Sequence, residues 1–167
     1  LLGKQTDPEP ITGTLLKECH PPEITEETAK KCIESFIGEY DQIPPMYSAL
    51  KVNGKKLYEL AREGKVVERK SRKVQIYDIR IKEMKLPRIR MEVSCSKGTY
   101  IRTLCNDVGE VLGVGGCMES LLRTKVSRFE LKDSMKLADI EKAKNEGRTE
   151  EIILPLDEVF VEYPKII

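Results

Sequence analysis

Tryptophan is absent from these 167 residues, histidine occurs once, and aromatic residues make up only 5%. The lone histidine, His20, stands beside Cys19, and the five cysteines (19, 32, 95, 105 and 117) form no Cys-x-x-Cys pair. That supply of ligands excludes a zinc centre of ordinary spacing, so no metal is expected. An odd cysteine count without framework spacing reads as buried or idle thiols in a reducing cytoplasm. A Cys–His nucleophile pair at Cys19 and His20 is discounted, because "ECHPPE" reads as an exposed loop. No apolar run approaches the roughly 18 residues of a membrane span, which leaves no membrane partner to expect. No signal peptide precedes Leu1, and the chain opens on "LLGKQTD" without an initiator methionine, which reads as a fragment.

What the chain does have is charge, at 34% of residues against 40% hydrophobic, the balance of a soluble globular domain. A domain of this length buries about two-thirds of its unfolded surface. The net charge of +1 conceals a gradient. Between Lys51 and Arg90 there are fourteen Lys and Arg against five Asp and Glu, while residues 1–50 are acidic. Such asymmetry fits a polyanion-binding face or a charged hairpin in water, and charge alone does not choose between them.

"PPEITEETAKKCIESFIGEY" has the spacing of an amphipathic helix capped by Thr25 and closed by Gly38, with Ala29, Cys32, Ile33, Phe36 and Ile37 inward. Pro44–Pro45 forces extended chain, "VNGK" marks a tight turn, and "KKLYELAREG" predicts a short helix ended by Gly64. "RKVQIYDIRIKEM" alternates through Val74 and Ile76, then changes phase to Tyr77, Ile79 and Ile81, which predicts a β-bulge near Tyr77. "RIRMEVSCS" alternates with Ile89, Met91, Val93 and Cys95 on one face, making an antiparallel hairpin with its predecessor.

The second strand runs into a helix with Thr99 as the expected cap, an inward stripe of Ile101, Leu104, Cys105, Val108, Val111 and Leu112, and a stop at Gly113. "MESLLRTKVSRFEL" predicts a turn of helix and then a strand. "SMKLADIEKAKNEG" predicts a surface helix, and "ILPLDEVF" a final segment. The order predicts an α+β fold with a mixed, mainly antiparallel sheet flanked by helices.

"SKGT" followed by "YIRT" imitates a phosphate loop, but Lys97 precedes Gly98 and the Gly-x4-Gly-Lys order is missing. Gly98 reads instead as a sharp turn or a close approach to a bulky ligand. Tyr100 and Arg102 follow at the strand-to-helix corner. A ring and a guanidinium side by side suit a protein that takes a base out of its stack; they also suit a core tyrosine beside a surface arginine. Arg102 in a helix's first turn costs roughly 0.3–1 kcal/mol unless something negative meets it.

Three stretches, "IPPMYSALKVNGKKLYELAREGK", "CSKGTYIRTLCNDVGEVLG" and "ESLLRTKVSRF", together with the opening "LLGKQTDPEPITG", resemble in order and spacing the bacterial tRNA pseudouridine synthase B (TruB-type) family. The resemblance implies a pseudouridine synthase-like fold, present in part. It implies an isomerase that converts a T-loop uridine of tRNA to pseudouridine by base flipping, with no cofactor. It places Tyr100 beside the flipped uracil as stacking group and proton acceptor, Arg102 as partner of the catalytic aspartate, and Leu121 against the target base. Residues of about 41–73 correspond to an insertion that grips the T-arm, with Lys51, Lys55, Lys56 and Arg62 on phosphates and Lys97 as a further RNA contact. Tyr47 and Tyr58 are expected to pack within that insertion.

The chain departs from the family in its nucleophile. The Gly-x-Leu-Asp-Pro-x-Ala-Thr-Gly motif has no counterpart here. "TDPEPITG" imitates it, but it is one residue too long, lies too near "PPMYSALK", and is expected to have no strand leading into it. Asp7 therefore reads as a turn residue in an Asp-Pro corner. A family tyrosine expected just upstream of Leu2 and the small C-terminal RNA-binding domain are also missing. The expectation is the C-terminal part of a catalytic domain spanning 1–167, inactive alone. The alternatives are a non-catalytic RNA-binding module and a bare structural fragment.

Overall fold

The computed structural model describes residues 1–6, 15–18 and 24–160. Cys19, His20 and Asp7 lie outside the described residues. In chain order the elements are β1 (Lys4–Thr6), β2 (Leu15–Glu18), α1 (Glu26–Glu34), β3 (Gly38–Gln42), β4 (Lys51–Val52), β5 (Lys55–Lys56) and α2 (Leu57–Arg62). They continue with β6 (Arg72–Lys85), β7 (Arg88–Cys95), α3 (Ile101–Val111), β8 (Lys125–Val126), β9 (Phe129–Glu130), α4 (Leu137–Asn145) and α5 (Leu156–Val159). Every strand pairing among the described residues is antiparallel. The α+β class follows from the sequence pattern and holds.

The chain forms two compact units, Leu1–Leu121 and Leu122–Ile167. The first is built on a three-stranded sheet in the order β3-β6-β7. Helices α1 and α3 cover one face, and their apolar stripes meet the sheet in a core of Ile33, Ile76, Ile79, Leu104 and Val108. Thr25 caps α1 as expected, its hydroxyl accepting from Thr28 N at 3.1 Å. The helix ends at Glu34, four residues short of Gly38, so Ile37 is 43% exposed and not inward as expected. Gly38 instead opens β3, at φ +118°.

The β6–β7 register shifts between Ile76 and Asp78, which places the bulge at Tyr77. Tyr77 itself faces out, and Ile79 resumes the inward face. Strand β7 alternates throughout, with Ile89, Met91, Val93 and Cys95 on the core side. Strand β1 pairs with β2, Lys4 opposite Glu18, so a strand does lead towards Asp7, contrary to expectation.

A second, smaller core belongs to the basic segment alone: Met46, Leu57 and Leu60, with Tyr47, Leu50, Val52, Ala61 and Val67 against them. The β4–β5 turn uses Asn53 and Gly54 at φ 51° and 83°, the paired positive angles that "VNGK" demands. Helix α2 stops before Gly64 as expected.

At the far end of α3 the backbone meets residues 115–117 directly. A Cβ on Gly109 would lie 2.0 Å from Gly116 N, and one on Gly116 would lie 2.4 Å from Cys105 O. Leu2 bridges Gly116 from the other side, and its N–H donates to Pro87 O at 2.9 Å. Val111, expected inward, is 67% exposed.

The second unit begins with β8 and β9, a two-residue-per-strand hairpin with Ser127 at φ 53°. The turn of helix expected before it does not form; residues 117–124 are irregular. Helix α4 matches the surface helix read from "SMKLADIEKAKNEG", with Ala143 buried beneath it.

Candidate functional site

The corner between β7 and α3 carries Lys97, Tyr100 and Arg102 of the expected residues, whereas Leu121 and the four cations of the basic segment lie outside it. Ser96 to Thr99 form the turn: Thr99 Oγ1 donates to Ser96 O at 2.8 Å, and Gly98 takes φ +84°. That use of its hydroxyl explains why Thr99 is not the helix cap. The cap is Tyr100, extended at φ −99° and ψ 105°, with no side-chain cap hydrogen bond. Gly98 has open space around it, so the turn alone requires the glycine.

Tyr100 and Arg102 are both half-buried, one at the corner and the other in the first turn of α3. Arg102 Nη2 donates to Tyr47 O at 3.0 Å, reaching 55 positions back to the loop that enters the basic segment. Arg69 Nη1 donates to Pro44 O at 3.1 Å in the same loop. Tyr58 N donates to Ser48 O at 3.1 Å, and Leu57 N to Leu50 O at 2.7 Å. The loop from residue 43 to 50 is therefore held at each end and in the middle. Ser48 Oγ and Arg69 Nε are buried within this region without a hydrogen-bond partner among the described residues.

The expected phosphate-binding cations differ in their freedom. Lys51, Arg62 and Lys97 are exposed and form no ion pair among the described residues. Lys55 lies 3.7 Å from Glu63, a solvent-exposed pair of the kind that holds a side chain only weakly. Lys56 Nζ donates to Tyr58 Oη at 3.2 Å, and that hydrogen bond, with the charges of Tyr58 and Glu59, raises its pKa. Arg62 stacks over the Tyr58 ring at 5.3 Å, so Tyr58 packs inside the segment, as expected. Leu121, the last residue of the first unit, is 57% exposed and belongs to neither core.

One residue of the corner was missed by sequence reasoning. Gln42, 1% exposed at the end of β3, accepts from Tyr100 N at 2.7 Å and donates to Tyr100 O at 3.1 Å. It also donates to Tyr40 Oη. A glutamine ahead of "IPP" carries no local signal of burial; only the partner 58 positions away reveals it.

A cleft of about 550 Å³ lies elsewhere, between α1 and β6, lined by Glu26, Lys30, Glu34 and Arg80 among others. It contains neither Tyr100 nor Arg102. No group of three potential metal ligands occurs among the described residues. No helix among them is long and apolar enough to cross a membrane.

Comparison with known proteins decides the family. Residues 1–101 match the model described as TruB family pseudouridylate synthase (N terminal domain). The chain belongs to the TruB family. Residues 102–161 match the model of the tRNA pseudouridylate synthase B C-terminal domain. Among its TruB relatives, the tRNA pseudouridine synthase B of Lachnoclostridium phytofermentans is 52% identical over 143 residues, 81% of this chain and 47% of that one. That of Clostridium tetani is 46% identical over 165 residues, 99% of this chain and 56% of its own. The chain thus spans about half the length of the curated relatives it matches. A chain in the crystal structure of a Cbf5–Nop10–Gar1 complex superposes with a TM-score of 0.64 at 26% identity, covering 83% of this chain and 39% of that one. The pseudouridine synthase fold expected from the motifs is therefore present.

Proposed function

We propose that this chain forms the Tyr100–Arg102 side of a tRNA pseudouridine synthase site that isomerises a T-arm uridine in the cytoplasm. The reaction breaks the bond from the ribose to N1 and makes one to C5, with a proton leaving C5 and one arriving at N1. Tyr100 stacks on the flipped base and takes up a proton, Leu121 packs on the base, and Arg102 orients the attacking carboxylate. The insertion of about 41–73 grips the T-arm. Lys51, Lys55, Lys56, Arg62 and Lys97 contact phosphate, with Lys51 and Lys97 the least committed within the protein.

The observation that carries this reading is the hydrogen bond from Arg102 Nη2 to Tyr47 O, which joins the chemical corner to the basic segment. A polyanion held by the segment would then lie in fixed relation to the Tyr100 ring. The carboxylate belongs to a Gly-x-Leu-Asp-Pro motif that these 167 residues do not contain, so binding without turnover is expected of them.

The test uses a tRNA transcript tritiated at uridine C5 and a T-arm stem-loop, with this chain alone and with an added N-terminal segment carrying a Gly-x-Leu-Asp-Pro motif. Expected are salt-sensitive binding by the chain alone and tritium release only with the supplement. Release by the chain alone would overturn the assignment of the nucleophile. Binding unaffected by both salt and Arg102→Ala would overturn the site. Binding that never yields release with the supplement would support the RNA-binding module.

A further inference from the structure

Gln42 grips a single residue at two points. Its amide oxygen takes the Tyr100 N–H at 2.7 Å, and its amide nitrogen donates to the Tyr100 carbonyl at 3.1 Å. A side-chain amide here does what a neighbouring strand would do, pairing both main-chain groups of one residue. A polar side chain with 1% exposure is tolerated only when satisfied, and Gln42 is satisfied by Tyr100 and by the Tyr40 hydroxyl.

The place held is the hinge of the corner. Tyr100 is the last extended residue before α3, and its carbonyl also receives the first helical hydrogen bond, from Leu104 N at 3.0 Å. The Tyr100 N–H has no partner inside the helix, and the Tyr100 side chain caps none of the helix's own N–H groups. Five residues beyond Gln42, Tyr47 O holds the Arg102 guanidinium. The stretch 42–47 therefore grips residue 100 by its main chain and residue 102 by its side chain. Behind Gln42, Tyr40 is fixed edge-to-face on Phe36, with ring centroids 5.4 Å apart.

We infer that Gln42 is a positioning residue, which fixes the main chain of Tyr100 and so aims the Tyr100 ring and the Arg102 side chain relative to the basic segment. The inference rests on the proposed role of Tyr100 and Arg102. A displacement of about 1 Å at such a site is enough to cost on the order of a hundredfold in function, so one misplaced hinge has a measurable effect.

The experiment compares the 167-residue chain with Gln42→Leu, Gln42→Glu, Tyr100→Ala and Arg102→Ala variants by amide hydrogen exchange and T-arm stem-loop binding. In Gln42→Leu the Tyr100 amide should exchange on the order of tenfold faster or more, while the Leu104 and Val108 amides keep their protection. Stem-loop affinity should fall about as far as in Arg102→Ala. Gln42→Glu keeps the acceptor for the Tyr100 N–H, so it should retain that protection and more of the affinity. Wild-type affinity in Gln42→Leu would overturn the inference, as would equal loss of protection along all of α3, the mark of plain destabilisation. If Gln42→Leu does not fold, Gln42→Glu decides: losing the donor to the Tyr100 carbonyl should still lower affinity, and wild-type affinity there would overturn the inference. If Tyr100→Ala and Arg102→Ala both bind like wild type, the site reading itself fails, whatever Gln42 does.

Discussion

Arg102 Nη2 lies 3.0 Å from Tyr47 O, so the first turn of α3 is tied to the loop that enters the basic segment. A guanidinium at the positive end of a helix is unfavourable, and a carbonyl dipole facing it offsets part of that cost. The same contact leaves the fork directed from a fixed point, which a flexible ammonium could not copy.

Arg102→Ala should lower stability by about 1.5–3 kcal/mol, the range for a hydrogen bond from a charged donor, read from urea unfolding. Arg102→Lys keeps the charge but loses the fork, and should weaken T-arm stem-loop binding by roughly tenfold, about 1.4 kcal/mol. Equal affinity for lysine and arginine would mean that only charge matters at residue 102.

Gly109 is the position least able to accept a side chain. Its Cβ would fall 2.0 Å from Gly116 N and 2.2 Å from Gly115 C, both main-chain atoms that cannot swing aside. Gly109→Ala should cost about 3 kcal/mol or more, at or beyond the upper end for overpacking. Gly113→Ala meets no atom within 4 Å but must adopt φ +72°, and should cost only about 1–2 kcal/mol. Chemical denaturation of the two variants side by side tests the order.

The basic segment should show itself in salt dependence. If Lys51 and Lys97 each neutralise one phosphate, Lys51→Ala and Lys97→Ala should each reduce the slope of log K against log salt by about 0.7–0.9. Lys55→Ala should matter somewhat less, because the Glu63 carboxylate 3.7 Å away offsets part of that charge. Filter binding at four salt concentrations would measure all three, and unchanged slopes would place the RNA elsewhere.

Alkaline pH should loosen the first unit. Burial pushes the Cys105 thiol from 9.0 up to about 11, and burial with the nearby charge of Asp107 pushes Tyr40 from 10.0 up to about 12. Both groups stay protonated in the folded state after the unfolded chain has released its proton. Their contribution is thus complete below pH 9 and is lost as pH rises from about 9 to about 12. Each group removes at most about 1.4 kcal/mol per pH unit within its own interval. Cys105→Ala should flatten the decline between pH 9 and pH 11 in urea midpoints, leaving the Tyr40 part above it.

Features that depend on neighbours in sequence were legible before any coordinates: the Thr25 cap, the Asn53–Gly54 turn and the bulge at Tyr77 each have a local cause. The family motifs likewise drew Tyr100 and Arg102 to one corner. Gln42 was not legible, because its burial is created by a residue far along the chain. Thr99 was misread since a turn upstream consumes its hydroxyl. Val111 was misread because Gly109, which has no side chain to mark a face, occupies the buried side of α3, turning the inward arc towards Gly116 and leaving Val111 outside it. The helix expected before β8 does not form, and Leu122 is left 70% exposed.

Met46, Leu57 and Leu60 pack on one another and not on the main sheet core. The basic segment is in that sense a cassette, shaped by its own interior and moored through Gln42 and Tyr47 to residues 100 and 102. Its exterior can be rewritten, lysine by lysine, without disturbing the mooring or the corner behind it. Grafting the segment between relatives would exchange its charged exterior while leaving the β7–α3 corner where it stands.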